Sequence, residues 1–244
     1  MSAADIRYEL SQIADSERAR AMQRFFKTGP GEYGEGDVFI GIPVPMQRQI
    51  AKRFQHAISL QDIAALLDDN EHEHRLTALF LLVAIFEQRI RKKDPDAKAC
   101  IDLYLQKLDR VNNWDLVDSS AHLLLGRWLL DKQHQLLIEL ANHENLWFNR
   151  VAMVSTWYFI RKEKVEVVFE IALLLLTHPH DLIHKAVGWM LREAWKKQPL
   201  PVEYFLHDHA ETMPITMLRY TIEKMDQQQK QTYMSMGQLR SKRK

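Results

Sequence analysis

The chain has 244 residues, a formal charge of +1 and one cysteine, Cys100; 46% of its residues are hydrophobic and 27% are charged. These values fit one large or two small globular domains, and they exclude a disulfide framework, a cysteine-rich zinc site and a globally basic nucleic-acid binder, so any basic surface must be local. Eight glycines and eight prolines are few for this length and favour long helices over a turn-rich β fold.

The opening stretch MSAADIRYELSQIADSERARAM is charged throughout and has no apolar signal core. Together with the lone cysteine it points to a reducing cytoplasm. Five of the eight glycines and three of the eight prolines then fall between Gly29 and Pro45. This predicts a loop over 28–45, ahead of a helix starting near Pro45, where proline suits the first turn. In EHEHRLTALFLLVAIFEQRI, Leu76, Leu79, Phe80, Val83 and either Ala84 or Phe86 fall on one helical face, while Arg75, Glu87 and Arg89 mark the other. Segments 114–130, 134–141, 147–161, 164–177, 182–197 and 217–232 carry the same period. They are punctuated by Asn112-Asn113, by Asn142 and Asn145, and by the run from His178 to Asp181. No apolar run reaches the length of a membrane span. The basic end, 235–244, is expected as a flexible tail.

Four stretches resemble one another: RLTALFLL from Arg75, RVAMVSTW from Arg150, KAVGWMLR from Lys185 and RYTIEKMD from Arg219. Each opens with a cation and runs into a mostly apolar helix. The cations lie 75, 35 and 34 residues apart, and WDLVDS falls near the middle of the first gap. Antiparallel helix pairs stacked into a solenoid give a period of about 35–40 residues. The sequence thus predicts an all-α fold: a curved solenoid of at least five HEAT-like helix pairs, forming a single domain over 1–244. Cations leading the inner helices would line its concave groove. The ordinary alternative is that any helix carries a polar residue in its first turn.

Known catalytic and metal-binding patterns are absent. His72/His74 and His178/His180/His184 sit at linkers and helix starts, without an H-E-x-x-H pair or an evident third ligand, and are expected to be solvated or capping. GPGEYGEG lacks a lysine and precedes no strand, no nucleophile elbow occurs, and Cys100 has no obvious base. Neither metal nor cofactor is expected. What remains is a set of aromatic, acidic and basic residues. Trp114 and Asp118 are four apart and share a helix face. Trp147 and Arg150 open one later stretch, and Lys185 and Trp189 another. Asn112 or Asn113 reads as an N-cap, which puts Asp115 in the first turn, where the helix dipole favours a carboxylate. Asp118 lies a turn deeper, so it is paired, solvated in a groove, or functional. A buried Asp118–Arg150 pair is the structural alternative to catalysis.

NNWDLVDS, NLWFNRVAM, IHKAVGWMLRE and FIGIPVPMQRQIAK together resemble the motifs of the bacterial DNA alkylation repair glycosylases of the AlkD type, over residues from about 20 to about 225. That resemblance implies HEAT-like repeats and excision of cationic N3- or N7-alkylated purines from double-stranded DNA. It implies Asp118 as the catalytic carboxylate, with Trp114, Trp189 and Arg150 near the lesion. Arg75, Lys185 and Arg219 are expected to hold the DNA backbone. The family's tyrosine on the first repeat is matched here by Phe25 or Phe26, which have no hydroxyl, and Tyr33 in the loop is a substitute. The expected protein is a cytoplasmic monomer with neither membrane nor metal partner. A non-catalytic HEAT-repeat binder of damaged or branched DNA is the alternative reading.

Overall fold

A computed structural model describes the backbone of residues 1–242 and the side chains of residues 1–237. Its regular elements among the described residues are helices, and the nearest approach to sheet among them is an isolated parallel bridge between Val38 and Glu71. The chain divides into two compact units, Met1–Ser120 and Ala121–Lys244.

The first unit contains α1 (Ala3–Ser11), α2 (Ser16–Phe25), α3 (Val44–Phe54), α4 (Leu60–Leu67), α5 (His72–Lys92), α6 (Ala97–Gln106) and all but the last residue of α7 (Trp114–Ala121). Local chemistry sets these limits. Ser2, Asp15 and Ser59 cap α1, α2 and α4 by accepting hydrogen bonds from first-turn amides, and Pro45 sits in the first turn of α3. Ile6 and Leu10 of α1, Ile63, Leu66 and Leu67 of α4, and Leu79 and Phe86 of α5 form a core with no exposed surface or almost none. Each such side chain contributes about 1.5–3 kcal/mol by leaving water.

Helix α5 departs from the expected two-faced pattern. Every residue from His72 to Leu82 is buried, so Arg75 lies inside the unit and not on a polar side. A helix that is buried on all sides has no solvent stripe.

The second unit continues directly from α7 with a π-helical turn (His122–Gly126) and α8 (Arg127–Leu129). Then follow α9 (Gln135–Ala141), α10 (Leu146–Ile160), α11 (Glu166–Leu174), α12 (Asp181–Trp195), α13 (Pro199–His209), α14 (Ile215–Thr221) and α15 (Gln227–Lys242). Helix α10 packs against the π-helical turn, α9, α11 and α12, while α12 packs against α13 and α14. Two crossings are unusually close. A Cβ at Gly126 would lie 2.2 Å from the Ser155 carbonyl oxygen and 2.9 Å from Tyr158, and one at Gly188 would lie 2.5 Å from the Met217 carbonyl oxygen and from Tyr220. The glycines are 62 residues apart, and so are Ser155 and Met217, and Tyr158 and Tyr220. This interval is the clearest internal repeat, and it marks helix packing where the cation series marked only helix starts.

Two expectations at the C-terminal end are corrected. The segment 217–232 is not one helix: Asp226 accepts from the Gln229 amide at 2.8 Å while the Gln229 side chain accepts from the Asp226 amide at 3.2 Å, a reciprocal cap that starts α15. The basic end 235–244, expected as a tail, continues α15 to Lys242; residues 243 and 244 lie outside the described residues. No described helix is long and apolar enough to cross a membrane.

Candidate active site

The first turn of α7 is built around Asn113, whose side-chain oxygen accepts from the Trp114 amide at 2.8 Å. Leu116, Val117 and Ser120 turn inward and are fully buried. Trp114 and Asp118, one turn apart, are both half-buried and share the helix's partly open face. The Trp114 ring stacks on Phe26 with centroids 5.0 Å apart and 9° between planes, and it meets Phe25 edge-on at 6.0 Å. Phe26 is buried, whereas Phe25 is 67% exposed, an unusual position for a large apolar ring. The charge of Asp118 also reaches inward. Burial first, and Asp118 next to it, push the Tyr104 hydroxyl well above its ordinary value; that hydroxyl pairs with Ser120 at 3.1 Å.

Behind this face lies a buried charge network. His72 Nδ1 is 2.7 Å from Asp37 Oδ2, and its Nε2 is 2.8 Å from Asp115 Oδ2. Asp37 also pairs with Arg75 and accepts from Asn113 Nδ2 at 3.0 Å. Burial disfavours charge on His72, but Asp115 and Asp37 outweigh it and raise the imidazole to about 9. Burial likewise opposes charge on Asp37, and His72, Arg75 and Asn113 outweigh it and lower the carboxyl to about 2. Glu73 completes the arrangement by accepting from the amides of Ile40, Gly41 and Ile42 at 3.0, 2.8 and 3.1 Å. Gly41 has φ +83°, and a Cβ there would lie 2.0 Å from the Asp15 carbonyl oxygen, so only glycine fits. The ring of His72 stacks on Phe39 at 4.4 Å, and Phe39 stacks on Phe26 at 4.7 Å. Aromatic and ionic contacts therefore converge on residues 113–115 from behind.

Within the second unit, Trp189 and Trp157 lie 5.1 Å apart, and Trp157 is 4.5 Å from His122. The N-cap of α12 is His180, which accepts from the Leu182 amide at 3.1 Å.

A family model described as "DNA alkylation repair enzyme" matches residues 6–225. The chain belongs to that family. A solved structure described as a "predicted DNA alkylation repair enzyme from Enterococcus faecalis" is similar in fold, with a TM-score of 0.69 and 22% identity. The similarity covers 88% of this chain and 97% of the other. A search of curated protein sequences returns no significant match.

For a DNA alkylation repair enzyme, the expected backbone-binding cations are placed unequally. Arg75 is 2% exposed and is consumed by Asp37 and by the carbonyls of Asp69 and Asn70 at 3.0 and 2.7 Å. It cannot reach a phosphate without dismantling the network, contrary to the expectation that it holds the DNA backbone. Arg150 is 5% exposed and donates to the Leu182 carbonyl at 2.7 Å, a position that suits a link between α10 and α12. Lys185 is half-buried, with its ammonium 2.7 Å from Asp181, and Arg219 is exposed. His72 and His74, expected to be solvated or capping, are instead buried, with His74 held by Asp69 at 2.9 Å. Asp115 fits the first turn as expected, yet its second oxygen serves His72. Asp37 was missed because it sits in no periodic pattern, and the burial of His72 because its acids, Asp37 and Asp115, lie 35 and 43 residues away along the chain. The available hint was an acid in the apolar stretch VFIGI's lead-in, facing four consecutive polar residues at the head of α5.

Proposed function

We propose that this DNA alkylation repair enzyme is a glycosylase that hydrolyses the N-glycosidic bond of cationic N3- or N7-alkylated purines in duplex DNA. The supporting observation is the face of α7. It sets a carboxylate, Asp118, one turn from Trp114, whose ring meets the exposed ring of Phe25, on a helix whose start is rigidly held.

A positively charged purine is already a good leaving group. As the carbon–nitrogen bond stretches, its electron pair neutralises the purine while positive charge grows on the sugar. Asp118, fixed and negative, stabilises that charge and orients a water whose oxygen bonds to the anomeric carbon; the water's proton leaves through the carboxylate. An aromatic face such as Trp114 attracts a cationic base by about 0.5–2 kcal/mol. In the second unit, Trp189 offers an aromatic surface for sugar or base, and Lys185 and Arg219 offer charge to phosphates, contacts that hold a duplex without reading its sequence. The proposed enzyme acts as a cytoplasmic monomer.

The test is incubation with duplex DNA carrying N7-methylguanine, scored for released base, in parallel with Asp118→Asn. Release by the unaltered protein and its loss in the variant support the reading. Tight duplex binding with no release by the unaltered protein replaces it with the non-catalytic binder.

A further inference from the structure

We propose that His72 and Asp115 are positioning residues for this reaction: the imidazolium of His72, bridging Asp37 and Asp115, clamps the first turn of α7 and thereby sets Trp114 and Asp118. The inference rests on the glycosylase reading for its effect on rate, but the clamp itself is read from geometry alone.

Both ring nitrogens of His72 face carboxylate oxygens at hydrogen-bond distance. Only the doubly protonated ring donates from both nitrogens; a neutral ring leaves one carboxylate facing a lone pair. The side chains of His72 and Asp37 are 1% and 2% exposed, so water cannot supply the missing donor cheaply. The groups facing the imidazole are Asp37 from the loop before α3, Asp115 from α7, and the uncharged rings of Phe26 and Phe39; Arg75, from His72's own helix, lies on the far oxygen of Asp37. Residues 113–115 are thus tied twice to one buried acid. Asn113 donates to Asp37 directly, and Asp115 reaches it through His72. Trp114, between these two ties, has its ring against Phe26, which itself lies against His72 at 5.3 Å. Loss of the bridge frees the first turn of α7 on the side of Asp115 and shifts Asp118, one turn later, out of register with the sugar. Misplacement of a catalytic group by about 1 Å costs on the order of 100-fold in rate. The His72 proton is held up to about pH 9, so the clamp is closed at neutral pH and opens in alkali.

The experiment uses full-length protein labelled with 5-fluorotryptophan, with the Trp114 resonance assigned through Trp114→Phe. Fluorine spectra, duplex affinity, thermal melting and single-turnover release of N7-methylguanine are measured for the unaltered protein, His72→Gln and Asp115→Asn. At neutral pH, both variants should shift or broaden the Trp114 resonance. Release should fall by about 10- to 100-fold per folded molecule, with duplex affinity unchanged. In the unaltered protein, the same resonance should titrate with a midpoint near pH 9, and this titration should vanish in His72→Gln. If His72→Gln does not fold, Asp115→Asn, at the more open end of the bridge, carries the test. A Trp114 resonance unmoved by pH and by Asp115→Asn overturns the proposal, as does normal release from a variant that only melts earlier. If the unaltered protein releases no base, the glycosylase reading falls, and the fluorine titration alone decides whether the clamp positions Trp114.

Discussion

The head of α5 and the head of α12 look alike in sequence, each bringing a cation into an apolar helix, yet they end up in opposite roles. Arg75 is buried on an acid from a loop 38 residues earlier, whereas Lys185 stays half-exposed beside Asp181 on its own helix. What separates them is the acid. A carboxylate buried by the rest of the fold draws the cation in, because either charge alone in the interior is far costlier than the pair. A carboxylate one turn away on the same helix leaves the cation partly exposed, where the pair contributes at most about 1 kcal/mol. A cation at a helix start therefore reports nothing about DNA until its acid is located.

Four measurements break or sharpen that contrast. Arg75→Ala should have the largest effect, about 3–5 kcal/mol of stability, because it leaves the Oδ1 side of the buried Asp37 without its cation, with only His72 and Asn113 remaining on Oδ2. Chemical denaturation should show the loss, while duplex affinity per folded molecule stays unchanged; weakened binding without loss of stability would break the comparison. Asp118→Asn should cost about 2.7–4 kcal/mol of transition-state stabilisation, seen as a drop of roughly 100- to 1000-fold in base release per folded molecule.

The third concerns pH. His72 sits near 9 in the folded chain against 6.5 ordinarily, so its contribution is complete below about 6.5 and disappears as pH rises through 9. Asp37, near 2 against 3.8, contributes fully above 3.8 and loses its contribution as pH falls through 2. The network should be fully stabilising between about pH 4 and 6.5 and should lose on the order of 3 kcal/mol by strong alkali. Hydrogen exchange should show that loss at residues 37–42 and 72–75 before it shows at α12. Smallest are Lys185→Ala and Arg219→Ala, each expected within about 0.5 kcal/mol of the parent in stability. Each should lower the salt dependence of duplex binding by about one unit of log–log slope. A flat slope in the parent would remove both from the interface.

The sequence disclosed what is local. The 3.6-residue period predicted helices, the glycine-rich stretch predicted the loop before α3, Asn112 or Asn113 predicted the start of α7, and four-residue spacing put Trp114 and Asp118 on one face. Burial of Arg75, His72 and Asp37 was illegible because it depends on three segments meeting in space, and no spacing along the chain encodes that meeting. The break between α14 and α15 was a different failure. Asp226 and Gln229 carry a readable capping signature, but the apolar period runs on across it and masks the break. The outward placement of Phe25 was equally hidden, since Phe25 and Phe26 are interchangeable by composition and only the turn of α2 decides which of them is buried.

Gly126 and Gly188 have a consequence for how this protein can vary. Each admits the backbone of a neighbouring helix into the space a methyl group would fill, and each does so against partners at the same interval along the chain. The two crossings act as keyed joints. An insertion or deletion between a glycine and its partner would leave the key opposite the wrong tooth, unless it were absorbed entirely in an outer connection. Length change in the second unit is therefore confined to the turns around α9, α11 and α13, while the helices between the joints behave as a fixed gauge.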